Sequence, residues 1–206
     1  MQIAELLLEN INLTVVFREL DKDLVRRDII KGLFTDEQLQ IAEVPEILIV
    51  NFKDRKAQAI YSDRRLFINT QYLSSDETSS FLATSCNNFL EAVPGAEIVS
   101  YGFNIEGICK TPDFDYNQHL LEACFAGGYN LSKKINSDII AVSPGFSFNI
   151  KEAKFSINFL PIEEVRYSQV DFKCNIHFDK VTPTSELIIK QFPEYLGYLK
   201  EVLEKL

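Results

Sequence analysis

The chain has 206 residues, a net charge of −9, 46% hydrophobic and 25% charged residues, an ordinary balance for a folded protein. The acidic excess disfavours nonspecific nucleic-acid binding, and no stretch approaches the ~18 apolar residues of a membrane helix. Met1 to Leu8 lacks a basic leader and contains Glu5, so no signal peptide is expected.

The first strand is read at Ile11 to Phe17, where Ile11, Leu13, Val15 and Phe17 alternate with Asn12, Thr14 and Val16. Asp21 to Phe34 then predicts a helix, with Leu24, Val25, Ile29, Leu33 and Phe34 on one side. Thr35-x-x-Gln38 has the form of a capping box and predicts a second short helix to about Glu43, ended by Pro45. A meander of three strands follows at Ile47 to Phe52, Ala57 to Tyr61 and Leu66 to Thr70. Its turns are Lys53-Asp54-Arg55-Lys56 and Ser62-Asp63-Arg64.

Ser74-x-x-Glu77 is another capping box, opening a helix with Leu82, Cys86, Phe89, Leu90 and Val93 on one face and Pro94-Gly95 as its stop. Glu97 to Ile108 returns as a strand, where Gly102 and Gly107 allow a bulge or a close backbone approach. Thr111-Pro112-Asp113 starts a helix carrying Phe114, Leu120, Leu121, Cys124 and Phe125, ended by Gly127-Gly128. Strands are read at Asp138 to Val142, Gly145 to Ile150, Lys154 to Leu160 and Val170 to Phe178. In the last, Phe172, Cys174, Ile176 and Phe178 face one way and Asp171, Lys173, Asn175 and His177 the other.

Thr182-Pro183 introduces a long C-terminal helix. Its seam of Ile188, Phe192, Tyr195, Leu199, Val202 and Leu206 is widened by Ile189, Leu196 and Leu203, and Pro193 should kink it. So broad a stripe must be buried, on the sheet or on a second subunit, with the sheet preferred. The chain is therefore read as one α+β domain over residues 1–206. It would be a mostly antiparallel sheet of seven to eight strands, with helices packed on one face. A helix follows strands twice, at 47–70 and at 138–178, an order that also arises without duplication.

Candidate chemistry is sparse. Cys86, Cys109, Cys124 and Cys174 sit apart in apolar patterns and read as reduced core residues in a cytosol, not as disulfides. Asn12-Leu-Thr14 and Asn130-Leu-Ser132 match the glycosylation pattern, which has no meaning without secretion. His119 and His177 are the histidines; either would need converging carboxylates to form a metal or acid–base site. His119 and Cys124 lie ~140° apart on a helix and do not face each other. The carboxylate pairs Asp21/Asp23, Asp76/Glu77, Asp113/Asp115 and Glu163/Glu164 read as helix first turns or exposed loops. The Gly102 to Gly107 spacing lacks the Lys and Ser/Thr of a phosphate loop, since Ile108 and Cys109 stand there. Lys53, Arg55 and Lys56 belong to one turn and Arg64 and Arg65 to the next, at opposite ends of the sheet, so they should not merge into one basic surface.

Arg65-Leu-Phe-Ile-Asn-Thr, the helix through Phe89-Leu90, and Val99-Ser-Tyr-Gly-Phe-Asn-Ile-Glu-Gly-Ile108 resemble a sporadically distributed family of uncharacterised bacterial conserved hypothetical proteins. In that family a "G-L-R-Y-x-N-R-I"-like strand follows such a helix. Here the arginine and tyrosine are missing after Gly102, and the resemblance implies no activity or site residue.

The reading from sequence is a cytoplasmic binding or interaction module without a cofactor, leaning away from an enzyme, with no catalytic or metal residue assigned and ligand-binding residues unidentified. Its partner would be a second copy or another protein, and neither nucleic acid nor membrane is expected. Two alternatives stand beside it. One is a small-ligand pocket of helix-grip type lined by Phe146, Phe148, Phe155 and Phe159. The other is an enzyme using scattered carboxylates.

Overall fold

The computed structural model describes residues 5–20, 23, 25–35, 37–110, 143–161, 169–179 and 181–205. Nine strands form one antiparallel sheet: β1 (Glu5–Phe17), β2 (Leu39–Val44), β3 (Ile47–Phe52), β4 (Ala57–Ser62), β5 (Arg65–Gln71), β6 (Ile98–Lys110), β7 (Gly145–Ile150), β8 (Ala153–Pro161) and β9 (Gln169–Asp179). The helices are α1 (Arg27–Leu33), α2 (Ser75–Glu91) and α3 (Ser185–Lys205). The α+β class, the antiparallel sheet and the C-terminal helix match the sequence reading.

The strands are arranged β2-β3-β4-β5-β1-β6-β9-β8-β7. Apart from the extra edge strand β2, this order is symmetric about the central pair β1/β6. The flanking strands β5 and β9 are each followed by a long helix, and those helices, α2 and α3, pack on each other. The two-fold relation follows from register as well as order: Asn12 pairs with Asn104, Asn12 with Asn69, and Asn104 with Asn175. The echo in the sequence is thus a geometric repeat.

One face of the sheet holds the core. Ile11, Leu13 and Val15 of β1, Tyr101, Phe103 and Ile105 of β6, and Phe172, Ile176 and Phe178 of β9 are all buried. The alternation of period two puts them on the side that the helices cover. Tyr61 donates its hydroxyl to the Phe89 carbonyl of α2 at 2.8 Å. Phe103 meets Phe192 of α3 at 5.4 Å between ring centres, and Phe178 meets Tyr195 at 5.0 Å, both edge to face. Such ring pairs add about 0.5–1.5 kcal/mol beyond area burial. Phe192, Leu196, Leu199 and Leu203 are buried within this one chain, so the α3 seam is satisfied on the sheet and α2. The helix runs on through Pro193.

Several readings are corrected. The sheet has nine strands among the described residues, not seven to eight. The added one is β2, which replaces the helix expected from Thr35 to Glu43. Tertiary pairing wins there: β2 is paired with β3 along its whole length, and the Gln38 amide is held by Asp54 at 3.3 Å. The helix read from Asp21 begins only at Arg27, and β1 extends back to Glu5. Thr184, not Thr182-Pro183, caps α3, accepting from the Leu187 amide at 3.3 Å. Ile189 is 49% exposed and does not belong to the seam. The second capping box holds: the Ser74 hydroxyl accepts from the Glu77 amide at 3.2 Å. The helix from Thr111, the strand at 138–142, Leu206 and the sequon at Asn130 lie outside the described residues.

Candidate binding face

The second face of the sheet carries no helix among the described residues, and its residues follow from the registers. Residues directly opposite on neighbouring strands point to the same side. At the centre, Asn12 and Asn104 are partners, with Asn69 and Asn175 outside them. Beyond Asn69 the same register line continues to Gln58, Asn51 and Gln40. Beyond Asn175 it continues to Ser156 and Ser147. One row therefore crosses all nine strands without a charge or an aliphatic side chain.

The central amides are linked head to tail. Asn175 donates to the Asn104 Oδ1 at 2.8 Å, Asn104 to the Asn12 Oδ1 at 2.8 Å, and Asn12 to the Asn69 Oδ1 at 2.7 Å. Asn104 also reaches the Thr14 hydroxyl at 3.1 Å, and Ser147 meets Ser156 at 2.9 Å. An amide has two N–H donors and two acceptor lone pairs, so the bonds linking these side chains leave each of them some unused hydrogen-bonding capacity.

The neighbouring row is apolar on one half only. Ala42, Ile49, Ile60 and Phe67 lie in line on β2 to β5, leading to Thr14. The continuing register positions are Gly102, His177 and Lys154. Between Asn10 and Val16 of β1 and throughout β2 to β5, Arg65 is the one charged side chain on this face among the described residues. A groove of about 660 Å³ lies beside the amide row, lined by Asn10, Asn12, Asn51, Gln58, Asn69 and Asn104, with Lys56 at one end and Glu106 at the other.

On the β2–β5 half the charges gather at the turns, whereas on the other half Glu106, Lys173 and Lys154 lie within the strands of the open face. Lys53 and Lys56 occupy the β3–β4 turn, Arg64 and Arg65 the opposite end of β4. This is the separation expected from the sequence. Asp63 and Arg64 have φ of 44° and 64°, the two-residue primed turn that Asn-Gly usually fills. On the helix side, α2 carries Asp76, Glu77 and Glu91 and no basic residue.

The residues considered for chemistry do not converge. His177 contacts Asp179 at 2.9 Å, one carboxylate where an acid–base or metal site needs more, and no group of three ligand-type side chains gathers among the described residues. His119, Cys124, Asp113/Asp115 and Glu163/Glu164 lie outside the described residues, as does Asp21 of the Asp21/Asp23 pair. Asp76 and Glu77 sit in the first turn of α2, as acids near a helix start do. Cys86, Cys109 and Cys174 are buried free thiols. Burial pushes Cys86 and Cys109 up to about 12, which makes them poor nucleophiles.

Of the four phenylalanines considered for a pocket, Phe155 and Phe159 are fully buried, and Phe155 stacks on Phe148 at 5.3 Å. Phe146 is 37% exposed. Tyr101 donates to Gln191, and burial holds the Tyr101 phenol well above its ordinary range although that bond works against it. Lys151 of the β7–β8 turn pairs with Glu194 of α3 at 2.5 Å, which raises the lysine and lowers the glutamate.

No helix among the described residues is long and apolar enough to cross a membrane. No protein-family model matches this chain, and no curated protein matches it.

Proposed function

We propose that this chain is a non-catalytic binding module and that its working surface is the helix-free face of the sheet. The observation that carries the reading is the amide row. Asn is disfavoured in strands, where Thr or Val would suit a solvated position better. Seven of the nine row positions nevertheless hold Asn or Gln, and register places them in one line. Residues that lower local propensity without filling the core are expected at functional surfaces.

In this reading the module works in the cytosol, supported by three buried thiols that remain unpaired among the described residues. The small-ligand alternative is supported by the groove of about 660 Å³, within the usual range for such sites. That groove lies on the open face, not under the final helix. The extended row and the apolar strip beside it favour a macromolecular surface.

The test replaces Asn12, Asn69, Asn104 and Asn175 together by Thr and measures urea unfolding. Removing all partners of the ladder at once leaves no orphaned amide. If the row serves binding, the variant is as stable as the parent or more so. A loss above about 2 kcal/mol would assign the ladder to holding the sheet together and remove the support for a binding face.

A further inference from the structure

We infer that the open face takes a neutral, hydroxyl-rich linear polymer, a polysaccharide chain, laid along the amide row across the strands. The inference rests on the binding-face reading and names the ligand class of that face.

The row sets the polarity of the ligand. From Gln40 on β2 to Ser147 on β7 it holds amides and hydroxyls and no ionisable group. Each of these side chains is half-buried or exposed, so none is withdrawn into the core. The ladder links Asn175, Asn104, Asn12 and Asn69 and stops at the Asn69 oxygen. The N–H donors of Asn69 and the whole amides of Asn51 and Gln58 lie outside it. An amide both donates and accepts, and so does a sugar hydroxyl. A carboxylate or phosphate only accepts, and would leave the amide oxygens unmatched.

The shape agrees. The groove of about 660 Å³ follows the row over five consecutive strands, with Asn51, Gln58, Asn69, Asn12 and Asn104 in its lining. Five strands make four spacings of about 4.8 Å each, roughly 19 Å in all. One spacing is comparable to the advance of one pyranose unit along a linear glycan, so successive units meet successive amides. The groove borders one flank of the row, and Ile49, Ile60 and Phe67 border the other. A pyranose ring has hydroxyls at its edge and C–H groups on its face, and burying the C–H groups against that strip is favourable.

The surroundings select against other occupants. The ionisable side chains in the groove, Arg55, Lys56 and Glu106, are of mixed sign and favour no net charge. Arg55 and Glu106 are already paired with Glu37 and Lys173. Neither the row nor the strip beside it holds Tyr, Trp, Met or Arg, the side chains on which protein interfaces depend. A nucleic acid needs cations for its phosphates and aromatic rings for its bases, whereas the row has neither and the net charge is −9.

The experiment screens the full chain on an array of linear oligosaccharides of glucose, mannose, xylose and N-acetylglucosamine, with oligogalacturonates as the anionic members. Calorimetric titration with neutral oligosaccharides of increasing length follows. The expected result is binding of neutral members, with affinity rising up to about four units, one per strand spacing of the groove, and then levelling. Asn51→Thr plus Gln58→Thr, which touches no ladder bond, should weaken binding more than about fivefold with an unchanged melting temperature. Gln58→Ala alone serves if the double variant does not fold. Glu204→Lys on the helix side should leave binding unchanged. Binding of no oligosaccharide at millimolar concentration, or binding indifferent to the row variants, overturns the glycan and leaves the binding face standing. The face itself falls by a different measurement, the stability loss of the fourfold Asn→Thr variant. Preference for the oligogalacturonates overturns the neutral class. Random peptides enriched by phage display whose binding is lost in the Asn51 and Gln58 variant would assign the row to a protein instead. Micromolar binding of single-stranded DNA at physiological salt, lost in the same variant, would assign it to nucleic acid.

Discussion

Asn104 donates to Asn12 at 2.8 Å across the central strand pair, and these two residues sit where the two halves of the sheet meet. The bond has a fixed direction. Asn12 is already committed as donor to Asn69 at 2.7 Å, so its oxygen must face Asn104. The ladder therefore has a polarity that a single change can break.

Asn104→Asp tests that polarity. At neutral pH a carboxylate oxygen would face the Asn12 Oδ1, with no proton between them. The expected loss is about 1 kcal/mol, near the low end for such a mismatch because the pair is only half-buried. The carboxyl introduced would be held above its ordinary range, since its protonated form alone can donate. The variant should therefore regain part of its deficit relative to the parent as pH falls toward about 4, with the recovery complete below that. Urea midpoints of both proteins at neutral and acidic pH measure this; a deficit independent of pH would refute the assignment of donor and acceptor.

Gly102 is placed by contact and not by a turn. A Cβ there would lie 2.6 Å from the carbonyl oxygen of Ile176 on the neighbouring strand, which is backbone and cannot swing aside. Gly102→Ala should therefore destabilise by about 1–3 kcal/mol, as overpacking does. Denaturant unfolding reads it, and an unchanged midpoint would show that β6 and β9 separate readily.

These two residues show what could be read from the chain alone. The alternation in β9 was legible because period two survives in the sequence: Phe172, Cys174, Ile176 and Phe178 all face the core. The capping box at Ser74 was legible because its bonds are local. β2 was not, because Thr35-x-x-Gln38 imitates a helix start while the pairing that decides the matter comes from β3. The amide row was still less visible. Asn12, Asn69, Asn104 and Asn175 each look like an ordinary polar position in an alternating strand, and their alignment exists only in the registers between strands far apart in sequence. A sequence signal did exist in the recurrence of Asn or Gln on non-core positions of strand after strand, but it gains meaning only once the strand order is known.

Alkaline pH should unfold the protein through its buried thiols. Cys86 and Cys109 are pushed by burial from an ordinary 9.0 up to about 12. The unfolded chain releases these protons first, so above that ordinary value the folded state binds more protons than the unfolded one. Stability is then complete below about pH 9 and declines as pH rises toward about 12. Unfolding midpoints across that window measure the slope. Cys86→Ala with Cys109→Ala should flatten it, and a slope unchanged in that variant would move the effect to the buried tyrosines.

Leu199 anchors the final helix. It is fully buried on α3, in the seam with Phe192, Leu196 and Leu203 that closes the helix layer over the sheet. α3 tolerates Pro193 and Gly197 within its length. Each weakens an isolated helix, Gly by roughly 1 kcal/mol relative to Ala, so packing must carry this one. Leu199→Ala removes buried methyl groups and leaves a cavity that α2 and the sheet can only partly close. The expected loss is about 2–5 kcal/mol in urea unfolding, with the slope unchanged. The chain should stay a monomer, because the seam is covered from within. A variant that loses less than about 1 kcal/mol would mean that α3 is held mainly through its polar contacts, Gln191 with Tyr101 and Glu194 with Lys151.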